Sequence, residues 1–212
     1  EPFRIQGMKD RDLEAEAKRL LQMVGLPPEF AGRYPYQISG GQARRVGIAR
    51  ALALGPKLLI ADEPTAGLDV SIQGEMLNLL ARLQDNLGLA IMIITHNLNV
   101  ARHITDRVGI MYLGKLVEEG ETDVVFANPQ HPYTLALLAA NPETDPDAHL
   151  MRIELQGEPP SILRRPTGCA FHTRCPFVRP RCSTDVPAWQ VEGAVAHRCH
   201  FPASWTASEV EL

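Results

Sequence analysis

The chain has 212 residues, 45% of them hydrophobic, which is ordinary for a globular protein and enough for one large domain or a domain with an appendage. Its formal net charge of −4 provides no global basic field to draw it to nucleic acid or acidic lipid. The longest strongly apolar run, "LGLAIMII" at 87–94, falls far short of the about 20 residues a membrane helix needs.

The charged start, "EPFRIQGMKDRDLEAEAKRL", is no secretory signal. It lacks an initiator Met, which sets the expectation that the true beginning lies upstream. Leu13, Ala17, Leu20, Leu21 and Val24 recur at helical spacing and predict a helix over 10–24, stopped by Gly25 and Pro27-Pro28. "RYPYQISGGQ" is a loop, and 42–54 is a second helix ended by Gly55-Pro56. "KLLIA" (57–61) and "LAIMIIT" (89–95) are continuous apolar runs, read as buried strands. Between them 72–87 is an amphipathic helix, and 97–104 looks helical. This alternation predicts a parallel sheet covered on both faces.

Beyond Thr105, "RVGIMYL" and "KLVEEG" flank Gly114 and predict a β-hairpin. The same stretch contains "GIMYLGKL", where Gly109, Gly114 and Lys115 match the phosphate-loop template and Leu116 replaces its hydroxyl residue. A phosphate loop leads from a strand into a helix, whereas β-like residues follow here, so the match is a coincidence. From about Phe126 prolines become frequent. A short helix fits 133–140, and the rest is loop-rich and needs a staple.

Three stretches carry candidate chemistry. Ser39-Gly40-Gly41-Gln42 opens a helix: Ser39 can cap it, and the free N–H groups at its positive end can meet an anion such as a terminal phosphate. The plainer reading is an ordinary Ser/Gly helix start. "LLIADEP" delivers Asp62 and Glu63 at the carboxyl end of a buried strand, the usual ligand edge of an α/β sheet. One acid there can orient Mg²⁺ and its waters, and the other can polarise an attacking water; a solvated acidic loop is the alternative. His96 ends the next strand on the same edge and can donate to a transferring phosphate, although a lone histidine is more often structural.

In this order, these stretches resemble the nucleotide-binding subunit of ATP-binding-cassette (ABC) transporters. "ISGGQ" looks like the signature motif, "LLIADEP" like Walker B, "AGLD" (66–69) like the D-loop, and Thr95-His96 like the switch histidine. The C-terminal stretches "NPQHPYT" (128–134) and "GCAFHTRCPFVRPRC" are similar to the oligopeptide/dipeptide importer branch. The resemblance implies an α/β fold: the C-terminal part of a RecA-like ABC ATPase domain (1–125, with 1–38 a remnant of the helical subdomain and 39–125 running from the signature helix to the hairpin after the switch), then a loop-rich extension (126–212) with four cysteines. It implies that Asp62 assists magnesium, Glu63 is the general base, His96 senses the γ-phosphate and Asp69 bridges two subunits. Ser39, Gly40, Gly41 and Gln42 would form the signature loop that meets ATP held by the opposite subunit.

The implied function is a transport-coupled ATP hydrolase, with ATP and Mg²⁺ shared across a subunit interface, energising bacterial peptide import. The implied partners are a second ABC ATPase subunit, identical or paralogous, membrane permease subunits and, indirectly, an extracytoplasmic peptide-binding protein; no nucleic acid is expected. The implied location is peripheral, on the cytoplasmic face of the bacterial inner membrane. The alternatives are a soluble ABC ATPase of DNA repair with a metal module and a vestigial, non-catalytic metal-binding module. Two departures stand out. Asn97 takes the place of the aspartate usual after the switch histidine. Walker A, the adenine-stacking aromatic and the Q-loop glutamine are absent from these residues and would lie upstream of Glu1, so the chain by itself is expected to be inactive.

Cys169, Cys175, Cys182 and Cys199 are spaced C-x5-C-x6-C-x16-C, without the C-x2-C pairs of common zinc ribbons. With no export signal, a reducing compartment and a metal site are expected rather than disulfides. Four thiolates suit a [4Fe–4S] cluster, and His172, His197 and His200 keep zinc open, as is a site with no metal. Some importers of the resembling branch are thought to carry a cluster here, which places the cluster ahead of zinc.

Overall fold

The computed structural model describes residues 1–8, 10–140, 153, 155 and 157–202, so part of the 126–212 segment lies outside the described residues. The chain divides into two compact units, Glu1–Asn97 and Leu98–Leu212. The composition change near 125 falls inside the second unit.

The first unit runs α1 (Pro2–Ile5), α2 (Leu13–Met23), two 3-10 turns (Pro28–Gly32 and Pro35–Gln37), α3 (Gly40–Leu52), β1 (Leu58–Asp62), α4 (Val70–Leu87) and β2 (Ala90–Ile94). Asp12 sets the start of α2 by accepting the Glu14 and Ala15 N–H groups at 3.0 and 3.1 Å. Met76, Leu79, Leu80 and Leu83 form the buried stripe of α4, and the helix stops at Gly88, whose φ of 60° is the left-handed cap glycine adopts cheaply.

β1 and β2 pair in parallel, from Leu58 opposite Ala90 to Asp62 opposite Ile94. Side chains alternate across a strand, so Leu58 and Ile60 share a face with Met92 and Ile94. That face is open: these four are 50%, 58%, 53% and 46% exposed, while Leu59 on the other face is buried. The expected sheet is therefore covered on one face only among the described residues. α4 packs against β2, and none of the unit's described residues covers the other side.

The second unit comprises α5 (Leu98–Ile104), β3 (Arg107–Tyr112), β4 (Lys115–Glu121), α6 (Thr122–Ala127), α7 (Pro132–Ala139), α8 (Pro180–Thr184), β5 (Gln190–Glu192) and β6 (Val195–His197). Its strands form an antiparallel sheet in the order β3-β4-β6-β5. Leu113 and Gly114 join β3 to β4 with φ of 46° and 72°, and two positive φ values make the tight turn that matches the twist of a hairpin. Lys115 therefore begins a strand, and "GIMYLGKL" is a hairpin rather than a phosphate loop. At Gly120 a Cβ would lie 2.9 Å from both the Ala194 carbonyl and Val125 Cγ2, so glycine is what lets β4 approach its neighbours this closely.

The core of this unit gathers Ile110, Tyr112, Val117 and Phe171, with Tyr133 packed against it. Tyr112 and Phe171 meet edge to face at 5.2 Å, the arrangement that aromatic quadrupoles favour. Glu118 on β4 is fully buried, and its carboxylate accepts the Gln130 and His131 N–H groups at 2.6 and 3.0 Å. Burial pushes its pKa upward, against the pull of those backbone bonds. Glu118→Ala leaves two buried donors unpaired and is expected to cost about 2–5 kcal/mol in urea unfolding. Glu119→Ala, which breaks only an exposed pair with Arg107, is expected to cost less than about 1 kcal/mol.

Candidate active site

The parallel pair delivers two of the predicted residues to one place. Glu63 follows Asp62 directly, and its N–H donates to the Ile94 carbonyl at 2.8 Å, extending the ladder one bond beyond β1. His96 leaves β2 two residues after Ile94. Glu63 Oε1 accepts the His96 backbone N–H at 3.2 Å and lies 2.7 Å from His96 Nδ1. A carboxylate is an acceptor only, so the ring proton sits on Nδ1 and Nε2 is left for another partner. The His96 side chain is 84% exposed and that of Glu63 34%, so the pair is reachable from solvent. Asp62, one residue earlier, is exposed on the open face of the strands.

Glu63 stands in the left-handed region with φ of 46°, a conformation that costs a residue with a Cβ about 1–3 kcal/mol. Its surroundings hold it there. The Ile94 carbonyl fixes its N–H. On its other side the Arg44 guanidinium donates through Nη1 to the carbonyls of Glu63 (2.9 Å) and Pro64 (2.7 Å), and through Nη2 to the carbonyl of Ala66. Nothing in the sequence pattern singles out Arg44. It is one of three arginines on α3, and a contact between a side chain and a backbone nineteen or more residues away leaves no periodic trace.

The stretches that resemble the signature motif and the D-loop meet elsewhere in the same unit. Ser39 and Gln42 form a capping box at the start of α3: Ser39 Oγ accepts the Gln42 N–H at 3.3 Å, and Gln42 Oε1 accepts the Ser39 N–H at 2.9 Å. Asp69 caps α4 by accepting the Ile72 N–H at 3.0 Å. Ser39, Gly40, Gly41, Gln42 and Asp69 all line an open groove of about 730 Å³. Asp62, Glu63 and His96 do not line it. The predicted residues thus form two groups: an acid–imidazole pair at the strand ends, and a glycine-rich helix start beside an aspartate. Asn97, the departure after the histidine, donates its N–H to Thr95 Oγ1 at 3.1 Å.

The residues present fit part of a magnesium–nucleotide site. Asp62 and Glu63 offer carboxylate oxygens where a hard cation would use them, while the 212 residues contain no G-x-x-x-x-G-K-[ST] segment to cradle phosphates.

In the second unit Cys169, Cys175, Cys182 and Cys199 line one small cavity of about 20 Å³, together with His131 and three phenylalanines. All four thiols are free. Burial pushes the Cys175 thiol up to about 12, that of Cys199 up to about 11, and that of Cys169 upward. A thiolate here therefore needs a compensating positive charge. Among the described residues, no group of three or more His, Cys, Asp or Glu side chains is placed to hold a metal ion. His172 and His200 spend ring nitrogens on the carbonyls of Cys169 and Asp185, both at 2.9 Å. No helix among the described residues is long and apolar enough to cross a membrane.

Comparison with known proteins agrees with the motif order. Residues 4–66 match the ABC transporter family model, and residues 117–182 match that of the oligopeptide/dipeptide transporter C-terminal region. The chain is 48% identical to the oligopeptide transport ATP-binding protein AppF of Bacillus subtilis, over 95% of this chain and 62% of that protein. It is 48% identical to OppF of Salmonella typhimurium, over 93% and 60%, and 46% identical to the di/tripeptide transport protein DppF of Pseudomonas aeruginosa, over 94% and 62%. The chain therefore spans about six-tenths of the length of these relatives. Among solved structures it resembles cbiO1 of Clostridium perfringens (TM-score 0.51, 33% identity, 58% of this chain and 50% of that one). It also resembles the ADP conformation of MJ1267, an ATP-binding cassette of an ABC transporter (TM-score 0.53, 26% identity, 63% and 52%). Neither the DNA-repair alternative nor the metal-module alternative has a counterpart among these relatives. Both family models thus match in the order of the motifs: the chain is similar to the ABC transporter family and, in its C-terminal part, to the oligopeptide/dipeptide transporter C-terminal region.

Proposed function

We propose that this chain supplies the signature loop, the acidic pair and the switch histidine of an ATP-hydrolysing subunit that energises import of di- and oligopeptides through a membrane transporter. The observation that carries the reading is the 2.7 Å contact between Glu63 and His96 at the carboxyl end of two parallel strands. Its relatives named for oligopeptide and di/tripeptide transport support the cargo class. The partners would be a second ATPase subunit, identical or paralogous, the permease subunits, and an extracytoplasmic peptide-binding protein acting through them. The subunit would sit peripherally on the cytoplasmic face of the inner membrane.

In this reading Glu63 accepts the proton of the water that attacks the γ-phosphate. His96, with Nδ1 committed to Glu63, turns Nε2 outward, where its protonated form donates to a phosphate oxygen. Asp62 orients magnesium, whose charge offsets that building on the phosphate oxygens when nucleotide is bound. Ser39, Gly40, Gly41 and Gln42 are separate from this pair because they meet the nucleotide held by the other subunit, and Asp69 beside them contributes to the bridge between subunits. The 1–125 and 126–212 segments would then serve as catalytic part and extension.

The four cysteines would hold a [4Fe–4S] cluster that pins the proline-rich extension. What supports a shared site is that all four thiols are free and line one small cavity.

Three outcomes test this account. The 212-residue chain by itself, lacking a phosphate-cradling segment, is expected to show no Mg-ATP binding tighter than about 100 µM by isothermal titration; tight binding would refute the motif assignment. In a subunit completed by a phosphate-loop segment, Glu63→Gln is expected to lower kcat by about 10²- to 10⁴-fold while ATP still binds; an unchanged kcat would remove Glu63 as the base. Anaerobic preparations are expected to absorb near about 400 nm with about four irons per chain, and Cys175→Ser to lose the band. Stoichiometric zinc without that band would reverse the metal assignment.

A further inference from the structure

We infer that Arg44 is the positioning residue of the hydrolytic site, acting on the Glu63 carboxylate through the backbone rather than by touching substrate. The inference rests on the reading of Glu63 as general base and adds the device that places it. The guanidinium reaches three acceptors of one short segment, the carbonyls of Glu63, Pro64 and Ala66. Residue 63 is the first after β1, where the chain turns into the left-handed region. The Glu63 carbonyl also accepts the Ala66 N–H at 3.2 Å, so the guanidinium closes over a turn that already bends back on itself.

Geometry makes the role specific to arginine. Its planar fork presents several N–H groups in fixed directions and can serve three carbonyls at once, whereas lysine offers one compact charge on a flexible stem. The Ile94 carbonyl holds the N–H side of Glu63 and Arg44 holds its carbonyl side. Between them the backbone of residue 63 is fixed at both peptide groups, and its side chain is left aimed at His96.

The neighbouring Arg45 does something different on the same helix: it ties α3 to the Val24 carbonyl at 3.2 Å and to Glu75 at 2.8 Å. Arg44 stands five residues after Ser39, on the helix whose first turn carries Ser39–Gln42. The clamp therefore ties the placement of the base to the seating of the signature helix. A helix moves as a rigid element, so a displacement at Ser39–Gln42 reaches the Glu63 carbonyl through one side chain.

Two measurements on Arg44→Ala and Arg44→Lys test the assignment. In the labelled 212-residue chain, the intraresidue amide-to-Hα cross peak of Glu63 is strong in the wild type, because positive φ brings these protons together. It is expected to weaken in both variants as residue 63 relaxes. In the completed subunit, kcat is expected to fall about 10- to 100-fold with KM for ATP within about threefold, and Arg44→Lys to rescue little. An unchanged kcat, or a lowered kcat with the strong cross peak retained, would overturn the role. Should Arg44→Ala fail to fold, Arg44→Lys, which keeps the charge and the stem, decides by the same criteria. A wild-type subunit that hydrolyses no ATP would instead contradict the proposed function, and the cross peak would still judge the clamp.

Discussion

The register between β1 and β2 decides where the chemistry can sit. With Asp62 opposite Ile94, the chain positions just beyond both strand ends fall beside one another, and Glu63 and His96 meet across the gap. A slip of one residue would turn every side chain to the opposite face and carry the imidazole away from the carboxylate. The ladder itself guards the register, since its last bond, from the Glu63 N–H to the Ile94 carbonyl, is made by the catalytic candidate. Fold and site are thus joined at one peptide group. The unusual φ of Glu63 is the local cost of turning the chain there, and Arg44 stabilises the turn from α3.

The elements that read clearly in the sequence are those with their own local signal. The runs "LLIAD" and "AIMII" are strands, legible as short and nearly continuous apolar stretches between helical segments. Ser39 and Gln42 form a capping box because their side chains and backbones are matched at three-residue spacing. The near-match to a phosphate loop could be dismissed on context, and the left-handed pair Leu113-Gly114 gives the reason: a turn built for a hairpin cannot start a helix. Three features were not legible. Arg44 acts on distant carbonyls. Glu118 is one of two adjacent acids in "KLVEEG" with no local sign of burial, yet its side chain is buried and holds the N–H groups of Gln130 and His131. β5 and β6 are three residues each, too short for alternation to show, and they exist because β4 offers an edge to pair with.

The second unit shows why a loop-rich segment can be ordered. His131 caps α7, accepting the Tyr133 N–H at 3.1 Å on Nδ1, while its own N–H is held by Glu118. Burial, with the neighbouring His197 adding to it, lowers the His131 pKa to about 3. His131 therefore stays neutral and serves as an acceptor. Its ring lies 5.7 Å from that of Phe171, which joins the hairpin core to the cysteine-lined cavity. The "HPYT" stretch is a joint between strand, helix and cysteine loop. The open apolar face of β1 and β2 belongs to a different problem: a parallel pair is stable when both faces are covered, and the relatives carry further chain that this one does not include.

The central claim is that Glu63 and His96 act as one hydrogen-bonded unit. It is tested most directly by ¹⁵N NMR of the His96 ring in the 212-residue chain and in Glu63→Ala. The account predicts that the neutral wild-type ring keeps its proton on Nδ1, and that in the variant the proton moves to Nε2, the tautomer of an unconstrained histidine. A wild-type ring protonated on Nε2 and indifferent to residue 63 would contradict it.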